Sequence, residues 1–515
     1  MKRTLLTWLI VVSLLLPAVA QERTYLSAAQ QVNHAAFQNP KVRAAADDPF
    51  DGVRALIRKQ MAEQQIPSLA VAVARDGQII WEEGFGWADR ENRVAANAHT
   101  VYSLASISKP FTATGLMILK ERGKIDLDRP INDYLGEAKL KAGIGNVADA
   151  TVRRVANHSS GLPVHYQFFY ADEPYHPPSM DETIRRYGNL VAPPGEAYEY
   201  SNLGFGILGY VIARHSGRSY TDFMRTEVFL PLGLTHTSVD LGPGLEKYQA
   251  VRYGPDGLPI PFYDFDHPAA SAVFSSAHDL VRFGVFHLKA HLPDQKPILP
   301  DQAIDEMQQP TVKSGNTQGY GIGWGTAEPR TGRRIISHTG GMGGVTTVLQ
   351  LLPAEKIAIV VLTNTRSSLL PQVVNAITAV LLPDAARNQP PPNQPPASPA
   401  TTKPPSEFVG KWSGKVHTYK GELPLTLWFQ ESGDIHARLG DQLETLLNEA
   451  SFRNGTLTGR MMGDIGTEDA NRRPYTLRLL FKLRGETLNG AVTAFSTPGK
   501  RAGNALSYWA ELKKQ

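Results

Sequence analysis

The sequence predicts an α+β domain followed by a small all-β barrel. Three observations carry this reading. Two strand hairpins lie at opposite ends of residues 49–386, with helical patterns between them. A Pro-rich run then interrupts the chain. After it the pattern turns to short strands punctuated by Gly and Asn. Strands at both ends of a region, with helices between, imply one antiparallel sheet assembled from distant parts of the chain. At 515 residues the chain is too long for a single core, so two or more domains are expected.

Residues 1–20 read as a secretory signal peptide. Lys2 and Arg3 precede the uncharged apolar run Leu5–Leu16, and Ala18-Val19-Ala20 is an A-x-A cleavage site before Gln21. The run is shorter than the roughly 20 residues of a spanning helix. The expectation is therefore export, to periplasm or medium, with no stable membrane insertion after cleavage. Residues 21–48 read as an N-terminal arm. A helix pattern begins at Phe50, with Val53, Leu56, Ile57 and Met61 near a 3.6 spacing. Leu69–Ala74 and Gln78–Phe85 follow as strands around Arg75-Asp76-Gly77, where Asp-Gly marks a hairpin. Val345–Leu352 and Lys356–Leu362 form the late hairpin, and a helix is expected from Ser368 to about Leu381.

Residues 387–405 hold the Pro-rich linker, which packs as neither helix nor sheet. In residues 406–515, Leu425–Phe429, Tyr475–Arg484, Thr487–Ala494 and Ala505–Leu512 alternate apolar and polar residues or carry strand formers, as in a small barrel or sandwich.

Composition narrows the function classes. Losing Lys2 and Arg3 takes the formal net charge from +4 to +2, which leaves no case for a nucleic-acid partner. The chain has no cysteine. That excludes disulfides, thiolate metal sites, a cysteine nucleophile and a lipid-modified cysteine. No metal-ligand spacing is legible along the chain, and no cofactor is expected.

The chemistry centres on Ser106-Ile107-Ser108-Lys109. Pro110 is tolerated only near a helix start, so the helix begins at or just after Ser106, and Gly123 ends it. Ser106 then sits at a helix N-terminus, where free N–H groups favour an attacking alkoxide and the oxyanion it creates. Lys109, three residues on, shares its face, and a buried lysine there loses its proton and can act as a base. Tyr200-Ser201-Asn202 follows the turn Pro193-Pro194-Gly195 and precedes the apolar helix Leu203–His215. A tyrosine beside a lysine can serve as a general base. His338-Thr339-Gly340-Gly341 ends the strand-like Arg334–Ser337 and precedes the late hairpin. A side chain there can hold a substrate's polar end, and the Gly341 N–H can complete an oxyanion hole. Taken singly, each motif also reads as a helix cap, a core tyrosine or an ordinary turn.

In order, S-I-S-K, Y-S-N and H-T-G resemble the serine β-lactamase and penicillin-binding protein superfamily, in its class C-like branch with esterase and D-amino-peptidase relatives. Three further segments carry the likeness: Asn157–Pro163, Ser271–Gly284 and Tyr320-Gly321-Ile322-Gly323-Trp324. The resemblance implies a β-lactamase/transpeptidase-like fold, an antiparallel sheet with flanking helices plus a helical subdomain. It implies that Ser106 is acylated and that Lys109 and Tyr200 share proton transfer, Tyr200 being the favoured base. Asn202, His338 and Thr339 would bind substrate, and the N–H groups of Ser106 and Gly341 would form the oxyanion hole. Phe408-Val409-Gly410-Lys411-Trp412 resembles the start of a lipocalin-like barrel, with Trp412 as its plug.

The departure is His338, where class C β-lactamases resemble K-T-G. A histidine is mostly neutral at pH 7, whereas lysine is a permanent charge for a substrate carboxylate. The expectation is an ester- or amide-cleaving hydrolase acting on a small molecule or peptide, of esterase or D-amino-acid peptidase type. A class C-like β-lactamase or DD-carboxypeptidase is the enzymatic alternative. A catalytically silent cell-wall or lipid-binding protein is the other. Oligomeric state is not legible.

Overall fold

The computed structural model describes residues 48–328, 332–383, 401–497, 499 and 501–515. The expected signal peptide, nearly all of the arm and most of the Pro-rich linker lie outside these. No helix among the described residues is long and apolar enough to cross a membrane.

The two hairpins meet as expected. Ser68–Arg75 and Gln78–Asp89 form the first, and Val345–Leu352 and Ile357–Thr363 the second. Ser68–Arg75 pairs antiparallel with Ile357–Thr363, from Leu69 opposite Thr363 to Arg75 opposite Ile357. This seam joins chain ends into a nine-stranded antiparallel sheet. Asp76 and Gly77 both take positive φ, +52° and +77°, as a tight two-residue hairpin turn demands.

Strand alternation decides what covers each face. Leu69, Val71 and Val73 point one way, with Ile357, Ile359 and Val361, onto the helices Asp51–Glu63 and Leu370–Leu381. Ala70, Ala72 and Ala74 point the other way, into the main core that includes the helix Ala277–His287. The second face carries small residues because that helix lies close. A Cβ on Gly284 would already stand 3.0 Å from the Ala358 methyl.

The strand does not end at Ser337: Ile335–Met342 runs straight through His338-Thr339-Gly340-Gly341. A Cβ on Gly340 would lie 2.1 Å from the Leu104 carbonyl oxygen, so this glycine answers a close approach of backbones rather than a change of direction.

The C-terminal region is a nine-stranded, nearly closed antiparallel barrel whose central strands include Gly410–Thr418, Gly421–Phe429, Thr487–Ser496 and Ala505–Lys514. Trp412 is fully buried in it and its indole N–H donates to the Phe408 carbonyl at 2.7 Å. The barrel docks through polar anchors. Tyr187 Oη donates to Asp469 Oδ2 at 2.7 Å, Arg186 pairs with the same carboxylate at 3.0 Å, and the Phe168 N–H donates to Asn504 Oδ1 at 2.9 Å. Ala502 of the barrel packs against an apolar cluster containing Ala105 and Met342.

Candidate active site

Ser106 sits in a single 3-10 turn, Ala105–Ile107, which passes directly into the helix Ser108–Glu121. Ala105 carries φ +49°, a left-handed conformation costly for a residue with a Cβ. The surroundings enforce it. The Leu104 carbonyl accepts from Thr347 Oγ1 at 2.9 Å, its N–H donates to the Val273 carbonyl at 2.9 Å, and Gly340 lies flush against it. The turn is thus clamped between the large sheet and the short strand Val273–Ser276.

Lys109 enters from the first turn of the helix and is fully buried. Its Nζ lies 3.2 Å from Ser106 Oγ, 2.7 Å from Asn202 Oδ1 and 3.0 Å from the Ala270 carbonyl. Burial holds its pKa well below the usual 10.5, and no carboxylate stands among the partners of its amine.

Tyr200 and Asn202 flank the start of the helix Asn202–Ser216, which Ser201 caps by accepting from the Gly204 N–H at 3.2 Å. Asn202 therefore projects from the helix start and Tyr200 from the extended residue before the cap. Lys109 Nζ lies 4.8 Å from the centre of the Tyr200 ring, and the phenol bonds Ser106. Burial raises the Tyr200 pKa, a rise the Ser106 bond only partly offsets, so the phenol keeps its proton.

His338 is buried, and both ring nitrogens are engaged. Nδ1 donates to the Thr339 carbonyl at 2.8 Å, and Nε2 accepts from Tyr320 Oη at 2.9 Å. Burial, helped by the nearby Lys109, pushes its pKa down to about 3, so the ring is neutral. It is neither a cation nor a free donor for a substrate. Thr339 and Gly341 alternate onto the exposed side of the same strand. The four residues Ser106, Lys109, Tyr200 and Asn202 thus converge, while the strand turns His338 inward and Thr339 outward.

Three contributors went unassigned in the sequence. His158 takes φ +63° and is buried against the Tyr200 ring, 4.3 Å between centres. Its Nδ1 accepts from the Ser201 N–H at 3.1 Å, so it fixes the backbone that carries Tyr200. Tyr320 fills the space behind, 4.8 Å from His158, and orients His338. Both lie in segments the motif reading singled out, but only the contacts reveal their tasks. Arg366 is the third addition. Its Nη1 lies 3.6 Å from the place a Gly341 Cβ would take, on the exposed side of the site.

A strained turn carrying Ser106, a buried amine with a lowered pKa and a protonated phenol thus stand within reach of one hydroxyl, an arrangement that suits acyl transfer. The Beta-lactamase family model matches residues 53–382. Protein flp of Staphylococcus aureus (strain N315) is 25% identical over 342 residues, 65% of this chain and 67% of that protein. Penicillin-binding protein 4* of Bacillus subtilis (strain 168) is 27% identical over 306 residues, 54% of this chain and 64% of that protein. The crystal structure of SurE with D-Leu superposes with a TM-score of 0.58 at 24% identity, over 89% of this chain and 99% of SurE.

Proposed function

The chain belongs to the beta-lactamase family, and from that premise we propose an exported serine hydrolase that forms an acyl-enzyme on Ser106 and cleaves ester or amide bonds. The observation that carries the proposal is the environment of Lys109. Two of its positions face acceptors that hold no proton, Asn202 Oδ1 and the Ala270 carbonyl. The third position faces Ser106 Oγ at 3.2 Å: an ammonium donates to that oxygen, and once burial has stripped its proton the amine spends its two N–H groups on the other acceptors and turns its lone pair to the hydroxyl. Lys109 is therefore the base that takes the hydroxyl proton as Oγ attacks the carbonyl carbon.

Lys109 and Tyr200 share one proton inventory, since neutral amine with phenol and ammonium with phenolate hold the same number. Burial of both favours the uncharged pair. The oxyanion is received by the Ser106 and Gly341 N–H groups. As the tetrahedral intermediate collapses, the proton on Lys109 passes through Tyr200 to the leaving group. Water then attacks the acyl carbon and gives its proton to the same pair, which passes it to Ser106 Oγ as the Oγ–C bond breaks, restoring the hydroxyl and the uncharged pair.

The neutral His338 supplies no charge for a substrate carboxylate, which favours esters, amides and D-residue peptides over β-lactams. The D-Leu held by SurE is consistent with that class. Arg366 favours a second reading, a carboxylate-bearing substrate such as a β-lactam or a peptide C-terminus. Intact-protein mass spectrometry with a fluorophosphonate probe tests the proposal. One adduct is expected on wild type and none on Ser106→Ala; labelling that survives the substitution would place the nucleophile elsewhere. Nitrocefin turnover outpacing that of p-nitrophenyl esters would bring the second reading forward.

A further inference from the structure

Outside the catalytic centre the fold gathers histidines that the chain keeps far apart. Glu82 lies on the strand Gln78–Asp89, His99 just before the strand Val101–Ser103, and His278 in the first turn of the helix Ala277–His287. Each offers one donor atom, and these atoms all lie within 4.8 Å of one another. His278 Nδ1 and Glu82 Oε2 are 2.8 Å apart. The His99 ring stands 4.8 Å from that of His278 and 5.1 Å from that of His236, centre to centre.

The backbones beneath are fixed. The His278 N–H donates to the Ala98 carbonyl at 3.1 Å, the His99 N–H to Asn97 Oδ1 at 2.8 Å, and the His236 N–H to Asp279 Oδ2 at 2.6 Å. The side chains remain reachable from solvent: Glu82 and His99 are exposed and His278 is half-buried. The His99 ring stands against two other imidazoles and lies within electrostatic range of the Glu82 carboxylate. One hydrogen bond, between His278 and Glu82, does not account for three imidazoles facing one another beside a carboxylate.

We propose that Glu82, His99 and His278 form a surface site for a divalent transition ion of the Zn2+ class, with the His236 ring standing beside His99. Imidazole and carboxylate donors suit zinc, copper or nickel rather than magnesium or calcium. Zinc holds such donors at about 2.0–2.2 Å. Donor atoms sharing one zinc stand about 3.3–3.5 Å apart, so exposed side-chain rotation must open the His278–Glu82 pair slightly and draw in the wider pairs by up to about 1.5 Å. One carboxylate with neutral imidazoles offsets half the ion's charge, as an exposed site tolerates. The ion would cross-link the first hairpin, the segment entering the nucleophile turn and the helix beneath the sheet. A second set, His165, Asp266 and His267, is sealed from solvent, and its one carboxylate is already shared between the two rings, so an ion has no path to it.

The test uses the full chain without an added histidine tag, dialysed against buffered Zn2+, with bound metal counted by elemental mass spectrometry. One Zn2+ per chain is expected, and His99→Ala and His278→Ala should each weaken it at least tenfold. Zn2+ should also shield His99 and His278 of the wild type from diethylpyrocarbonate, a readout that needs no variant to fold. Absence of bound zinc, equal binding by wild type and both variants, or no shielding at these two rings would each overturn the proposal.

Discussion

Replacing Gly340 by alanine asks whether the strand Ile335–Met342 sets the position of the nucleophile. The added Cβ would stand 2.1 Å from the Leu104 carbonyl oxygen and 2.2 Å from Thr347 Oγ1. Nonbonded heavy atoms settle above about 3 Å, so the two segments must part by about 1 Å. No flexible side-chain tip absorbs this, because Leu104 O is backbone and Thr347 Oγ1 is its hydrogen-bond partner. The displacement passes along Leu104 to Ala105 and Ser106. Overpacking of this kind costs about 1–3 kcal/mol of stability. A misplacement of about 1 Å at the reacting atom costs about a hundredfold in rate. The assay is p-nitrophenyl ester hydrolysis alongside thermal unfolding. Gly341→Ala is the steric control, since its nearest neighbour would be Arg366 Nη1 at 3.6 Å, and its melting temperature should stay near wild type. A Gly340→Ala enzyme with wild-type rate and stability would refute the clamp.

Other consequences are as direct. Lys109→Met should lower kcat/KM for esters by about 10²–10⁴-fold, because it removes the base, while the unbranched methionine fills the same buried space and leaves the far-UV circular dichroism unchanged even though the bonds to Asn202 and Ala270 are lost. His338 titrates near 3 folded against 6.5 ordinarily, so the unfolded chain binds its proton first as pH falls. Its contribution to stability is full above 6.5 and declines between 6.5 and about 3. Denaturant titrations of His338→Gln should therefore show a shallower loss of stability than wild type across that window. Asp469→Ala removes the acceptor shared by Arg186 and Tyr187 and should cost about 1–3 kcal/mol, measured as a shift in thermal unfolding.

What the sequence disclosed follows from how local each signal is. Ser106 and Lys109 stand three residues apart and Tyr200 and Asn202 bracket one helix cap, so the motifs were legible locally, while their roles came from the resemblance that the motifs carry together. The hairpins were legible from alternation and Asp-Gly. Their pairing across the sheet followed from needing both faces covered. His338 was read as a strand end because glycine pairs usually punctuate; the requirement here was room for Leu104, which lies far away in sequence. Tyr320 orients His338 and His158 braces Ser201 through contacts that no spacing encodes. The Glu82, His99 and His278 cluster was invisible for the same reason, each residue being unremarkable on its own element.

The central claim is that Ser106 carries the acyl group during turnover. Acid-quenched, time-resolved mass spectrometry with a p-nitrophenyl ester addresses it, with peptide mapping of the trapped species. The account expects an increase equal to the acyl mass, confined to the peptide containing Ser106, formed during the p-nitrophenol burst and lost as substrate is exhausted. Turnover with no adduct at any time, or with the acyl group on another residue, would contradict it.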